Sequence, residues 1–304
     1  RDIRPSRGLE MCIRDRHITK YLHIVFSISV KSIILIFSPL TFSIPLIILV
    51  RVLSLLCIKI IVHVKLIKLN AIDSTNEYIK KIKLFSSDSL ICVYTFNQTM
   101  GKGRRANIWS SEPFMNLCVS FCYRPSNEIS DDFSFKLNML VSNKILEFLN
   151  QNKIPNLHVK WPNDILSDKK KIAGILIESS MKKNKVSDYI FGIGLNVNQF
   201  DFGDLKQASS LKKITNINYD LHKISKDFIN HFSNIDEVAN NYSTNQIKMN
   251  YLNNLYGTKS FLNYTYKGEK IKGKIIDIKS TSSIELLIGK NLKILDSHDL
   301  KLIY

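Results

Sequence analysis

Gln98-Thr99-Met100-Gly101-Lys102-Gly103-Arg104-Arg105-Ala106-Asn107-Ile108-Trp109 is the stretch on which the reading of this chain turns. It sets two glycines and three cations within five residues, with no acidic residue before Glu112. Glycines permit positive φ and let a ligand approach the backbone. Lys102, Arg104 and Arg105 suit a phosphate or carboxylate. Mutual repulsion would keep such a loop mobile until an anion arrives. A solvated basic turn is the plain alternative. A dinucleotide-binding G-x-G-x-x-G/A turn matches on paper, with Ala106 last, but that motif must open a helix. Ile108-Trp109-Ser110-Ser111-Glu112-Pro113 is poor helix material. A P-loop needs Gly-Lys-Ser/Thr, and no such tripeptide is present here.

Working outward, Asp73-Ser74-Thr75-Asn76 stands upstream. Downstream come Lys160-Trp161-Pro162-Asn163-Asp164, then Lys171-Ile172-Ala173-Gly174-Ile175-Leu176-Ile177-Glu178, then Gly192-Ile193-Gly194-Leu195-Asn196-Val197-Asn198. In these motifs and their order, residues 65–304 resemble the biotin protein ligases. Each motif alone is a weak signal; the ordered set is specific.

The resemblance implies an α/β (α+β) fold: a mixed-sheet catalytic domain over 65–256 and a small SH3-like β-barrel over 257–304. It implies ATP and biotin as substrates with Mg²⁺, formation of biotinyl-5′-adenylate, and transfer to a lysine of the biotin carboxyl carrier protein of acetyl-CoA carboxylase. No protein ligand to a metal is assigned. The matching positions for biotin are Ser74, Thr75, Asn76, Gln98, Gly101, Lys102, Arg104, Lys160 and Gly174; for the nucleotide, Arg105, Trp109, Asn163, Lys171 and Asn196. Lys160 and Arg104 carry the catalytic expectation, because a carboxylate attacking an α-phosphate brings two anions together and cations must offset that repulsion. Asn163 as an Asx turn and Asn196 as a strand-end cap are the plain alternatives. Two departures from the family's Gly-Arg-Gly-Arg-Arg-Gly-Arg loop stand out. Lys102 lacks the bidentate fork of Arg, and Ala106, where the family has Gly, is expected to resist positive φ.

A lipoate or octanoyl protein ligase shares this fold, but its usual Arg-Arg-x-Ser-Gly-Gly-Gly loop is absent. A non-catalytic biotin-sensing regulator is a third reading and would need a DNA-binding module. Residues 1–64 lack the capped polar helix pairs of such a module, so no DNA binding is expected. Ser32–Val50 is a run of 19 uncharged residues, long enough to span a bilayer, though broken by Pro39 and Pro45. Residues 7–16 look like an assembly scar, and the Ile/Leu/Phe/Ser-rich stretch after them resembles translated A/T-rich non-coding DNA. Residues 1–64 are therefore read as a foreign extension, with a membrane anchor or a buried helical extension as alternatives.

The formal charge of +17 is spread along the chain: residues 1–64 carry 9 basic and 3 acidic residues, leaving 34 against 23 for the rest. Codon bias accounts for that as well as a nucleic-acid face does. Five cysteines without a Cys-x-x-Cys pair or a histidine at ligand spacing read as free thiols in a reducing cytosol. A monomer and a homodimer are both compatible with the sequence. Periodicity predicts a helix over 76–83 capped by Asp73 or Ser74, a core helix over 132–150, strands over 65–72, 90–96, 116–123, 157–161, 171–178 and 189–197, helices within 205–256, and five short strands after Gly257. Cys118 and Cys122 fall on one strand face as packing groups.

Overall fold

The computed structural model describes residues 64–83, 89–126, 132–182 and 185–303. The apolar run Ser32–Val50 and the expectations for residues 1–63 lie outside them. Among the described residues no helix is long and apolar enough to cross a membrane.

A seven-stranded sheet organises the first two thirds of the described chain. Its strands are β1 (Val64–Leu69), β2 (Leu90–Thr95), β5 (Leu117–Tyr123), β6 (Leu157–Lys160), β7 (Asp164–Ser167), β8 (Lys170–Lys182) and β9 (Lys185–Leu195). They lie in the order β1-β2-β5-β9-β8-β7-β6. Only β1 and β2 pair in parallel; every other neighbour is antiparallel. The parallel pair is joined across by helix α1 (Thr75–Ile82), as a parallel connection requires. The turn between β7 and β8 puts both Asp168 (φ 48°) and Lys169 (φ 62°) in the left-handed region, the backbone of a tight hairpin.

Strand β5 is buried along its whole length, so its sequence is nearly continuous in apolar residues rather than alternating. Period two still sorts its side chains. Val119, Phe121 and Tyr123 join the main core with Phe148, Phe191, Phe228 and Phe232. Cys122 packs with Ile79 of α1, Ile91, Val93 and Ile190 in a second, smaller cluster on the other face. The main core is closed by α2 (Phe133–Gln151) and the helices α3 (Leu211–Thr215), α4 (Leu221–His231), α5 (Ile235–Asn241) and α6 (Thr244–Asn253). Ser243 and Gln246 form a reciprocal capping box at the start of α6.

Beyond Gly257 the chain forms a second, five-stranded antiparallel sheet. It comprises β10 (Leu262–Tyr266), β11 (Glu269–Ile278), β12 (Ser283–Ile288), β13 (Asn291–Asp296) and β14 (Leu300–Leu302), in the order β13-β12-β11-β10-β14. This is the small β unit that the sequence leads one to expect. Gly257 has φ +102°, and a Cβ there would stand 2.8 Å from Tyr264 Oη. Ile275, Ile284 and Leu286 share one core with the main sheet. Backbone bonds Val159 N–H to Asn254 O and Tyr256 N–H to Val159 O tie the linking segment to β6.

Candidate active site

The site lies on the α1 face of the sheet, where two rows of the ladder lose side chains to glycine. Ser120 of β5 pairs with Gly192 of β9, and Cys118 pairs with Gly194. Gly194 in turn faces Gly174 of β8. Glycines in these rows suggest room for a ligand, yet the structure fills much of that room with protein. A Cβ at Gly192 would stand 2.2 Å from Asn76 Oδ1, and one at Gly194 would stand 2.2 Å from the Trp109 indole. The missing side chains thus seat Asn76 and Trp109 flat against the sheet, and a cavity of about 170 Å³ opens beside them.

The floor is a polar cluster. Ser74 caps α1, its Oγ accepting from Glu77 N–H, which satisfies one orphan amide. Thr75, at the first helical position, donates its N–H to Gln98 Oε1 at 2.9 Å and its hydroxyl to the same oxygen at 3.1 Å. Ser120 Oγ lies 2.7 Å from Thr75 Oγ1 and 2.5 Å from Asn76 Oδ1. Asn76 Nδ2 donates to Glu178 Oε2 at 2.8 Å. Ser74, Thr75, Asn76, Gln98 and Ser120 are all buried, so each hydrogen bond left unmade here would be expensive.

The roof is the basic loop over residues 98–109. Its ends are two short strands, β3 (Gly101–Lys102) and β4 (Ile108–Trp109), paired to each other. A 3-10 turn, Arg104–Ala106, lies between them. The glycines do not act as expected. Gly103 has φ −115°, while positive φ falls on Arg105 (57°) and Ala106 (59°). Ala106 therefore adopts the left-handed conformation that its Cβ disfavours. Gly101 matters for close approach instead: a Cβ there would meet Trp109 O at 2.4 Å.

Three cations and one carboxylate line the cavity: Lys102, Arg104, Lys171 and Asp164. Lys171 Nζ lies 2.6 Å from Asp164 Oδ1 and 5.5 Å from the centre of the Trp109 ring. Burial pushes the Arg104 guanidinium below its ordinary value, and the neighbouring Arg105 adds to the push. Such a group favours an arriving anion, which relieves both effects. Cys118 also lines the cavity, but burial raises its thiol to about 12. It is therefore protonated at neutral pH and unsuited to nucleophilic work.

The structure brings together most of the expected residues. Ser74, Thr75, Asn76, Gln98, Lys102, Arg104, Trp109, Asn163, Lys171 and Gly174 line one cavity. Others stand elsewhere. Lys160, at the end of β6, lies 3.7 Å from Asp164 Oδ2, the far side of that carboxylate. It lines a second cavity of about 220 Å³ with Trp161, Tyr264, Ile275 and Leu302. Arg105 points away, to Ser297 beyond β13. Asn196 is buried as a strand-end cap, its N–H on Ile172 O and its Nδ2 on Ser209 O. Gly101 backs Trp109 rather than lining the cavity. Lys102 sends its ammonium to Glu77. Asn163 lines the cavity while also bracing β8, donating to Ile175 O.

Ser120, Asp164, Glu77 and Glu178 are additions to the site. Ser120 carries a readable signal: it is the only aliphatic hydroxyl in Leu117–Tyr123, and a hydroxyl inside a fully buried strand must find partners.

Comparison with known proteins agrees with this geometry. Residues 69–196 match the Biotin/lipoate A/B protein ligase family. The chain is 31% identical over 157 residues to the bifunctional ligase/repressor BirA of Bacillus spizizenii, covering 48% of each chain. It is 33% identical over 131 residues to BirA of Escherichia coli, covering 42% of this chain and 39% of that protein. The chain thus spans about half or less of the length of these curated relatives. Its fold matches the biotin protein ligase of Aquifex aeolicus solved with biotin and ATP, with a TM-score of 0.63 at 24% identity over 79% of this chain and 98% of that one. Over residues 69–196 the chain thus resembles the biotin/lipoate protein ligases, and its fold is that of the biotin protein ligases.

Proposed function

We propose that this protein activates biotin with ATP as biotinyl-5′-adenylate and transfers the biotinyl group to a lysine of a biotin carboxyl carrier protein. The observation that carries the reading is the polarity of the cavity. One end is an uncharged hydrogen-bonding floor, and the other holds cations under a closable roof. Biotin has the matching polarity, with a ureido head, an apolar body and a carboxylate tail. Thr75, Gln98, Ser120 and Asn76 offer both donors and acceptors to the ureido group. Leu176, Cys118 and the Trp109 indole, on the α1 face of the sheet, line the intervening wall. The carboxylate then falls toward Lys171 and Arg104.

In the first half-reaction the carboxylate attacks the α-phosphorus, and pyrophosphate leaves. Lys171 stands where charge develops, pre-oriented by Asp164, as electrostatic stabilisation requires. Lys160 holds the other oxygen of Asp164 and acts as a positioning residue. Trp109 offers an indole face to the adenine, over a bed of two glycines. Among the described residues no cluster of His, Cys, Asp or Glu could hold a metal, and Asp164 is the one carboxylate lining the cavity. Magnesium therefore fits as an ion carried by the triphosphate, neutralising the leaving pyrophosphate. In the second half-reaction a deprotonated lysine of the carrier attacks the mixed anhydride and AMP departs.

ATP–pyrophosphate exchange tests the reading. Exchange that depends on biotin is expected. Exchange supported by lipoate or octanoate instead would assign the site to the sister activity of the family. Binding of biotin without any exchange would favour a sensing role.

A further inference from the structure

Two of the loop's three cations are engaged before any substrate enters. On one side Lys102 Nζ lies 2.9 Å from Glu77 Oε1. The same oxygen accepts from Lys80 at 2.9 Å. Lys80 also reaches Glu178 Oε1 at 2.7 Å, and the other Glu178 oxygen holds Asn76. A continuous chain of polar contacts thus runs from the cavity floor to the roof. On the other side Arg105 spans to the second sheet. It donates to Ser297 O at 2.9 Å and to Ser297 Oγ at 2.7 Å, a two-pronged grip on the turn between β13 and β14. Ser297 is itself fixed, its N–H donating to Ser282 O at 2.7 Å.

The ends of the loop are held by Gln98, by backbone bonds to Ile72 and Asp73 and by Trp109 against the sheet. Its crown has little beyond these contacts of Lys102 and Arg105 and the Gly103–Asn107 bond. Ile108 is 82% exposed and Met100 66% exposed, so no apolar anchor pins its crown. Arg105 and Ala106 hold left-handed backbone, a conformation that persists only where surroundings over-determine it. Three like charges within four residues also repel. We propose that Glu77 and Ser297 are positioning residues that clamp the roof from two sides, one through helix α1 and one through the C-terminal sheet. Arg104 lies between the two clamps and is thereby aimed at the cavity. Neither acid nor hydroxyl belongs to the motifs that carry the family resemblance.

The functional consequence rests on the proposed ligase reading, but the clamp can be tested without it. Lys102, Arg104 and Arg105 are trypsin sites, and cleavage of a native loop reports how often it opens. Glu77→Gln should speed cleavage after Arg104 and Arg105 by up to about fivefold, the scale of an exposed ion pair. That increase should fade in high salt. Ser297→Ala should raise cleavage by about twofold to threefold, since the carbonyl prong remains. The two effects should multiply, with the melting temperature unchanged. In the second readout, Glu77→Gln should release acyl-adenylate several-fold faster than the wild type. Wild-type cleavage rates in both single variants would overturn the clamp. Absence of any adenylate in the wild type would instead count against the ligase reading and leave the clamp to the protease result.

Discussion

The floor and the roof of the cavity are built by different means. The floor is welded into the regular structure: Thr75 opens a helix, Ser120 sits in the middle of a sheet strand, and Gln98 bonds both backbone and side chain of Thr75. Its donors and acceptors satisfy one another before a ligand comes. The roof is a two-rung hairpin with a strained crown, held by side chains borrowed from elsewhere. A rigid polar floor suits recognition, because a ligand must match donors and acceptors whose positions are already fixed. A loosely held cationic roof suits a reactive intermediate, which must be enclosed and later released.

The largest effect should come from the cation at the boundary of the two. Lys171→Ala should slow adenylate formation by about 10²–10³ while biotin affinity changes little, as expected for one pre-organised group acting on developing charge. Lys160→Ala should cost far less, about tenfold, because Lys160 acts through Asp164. Pre-steady-state adenylate yield measures both. An equal loss in the two variants would show that the Lys160–Asp164–Lys171 triad works as one unit.

Two glycines separate floor from roof within one strand. Gly192→Ala should press on Asn76 and raise the KM for biotin, while Gly194→Ala should press on Trp109 and raise the KM for ATP. Each should destabilise by about 1–3 kcal/mol, the usual result of forcing volume into a packed place. Thermal melting and initial rates read the two outcomes. If both variants disturb the same substrate, the floor and roof are not separable.

Ser120→Ala comes next. It removes one hydroxyl and strands its buried partners, at about 1–3 kcal/mol. Part should appear as lost stability and part as weaker biotin binding, with the affinity for ATP unchanged by isothermal titration.

Sequence reaches these two regions unequally. Strands, the α1 cap at Ser74 and the five short C-terminal strands follow from period and turn chemistry, which are local. The lining of the cavity by Thr75, Gln98, Trp109 and Gly174 is legible through ordered motifs. What local sequence cannot supply is direction. Lys160 and Lys171 both sit beside strand ends with a carboxylate near, and only the β7–β8 register decides which ammonium enters the cavity. Arg105 looks like a phosphate ligand in a basic loop, yet its partner Ser297 is 192 residues away. Ala106 by its own steric preference would avoid the left-handed region, and tertiary contacts outweigh that preference. Glycines 192 and 194 announce a close approach without saying that Asn76 and Trp109 make it.

The division of labour is tested most directly by tracking where the adenylate goes. In a single turnover with biotin and α-labelled ATP, labelled adenylate is separated into protein-bound and free fractions, beside a streptavidin blot of a mixed lysate. The wild type should hold nearly all the adenylate and label mainly the carrier protein. Arg104→Gly should form adenylate but let it escape, labelling bystander proteins. If Arg104→Gly keeps the adenylate bound and stays selective for the carrier, the loop is not the lid, and the contrast between floor and roof fails.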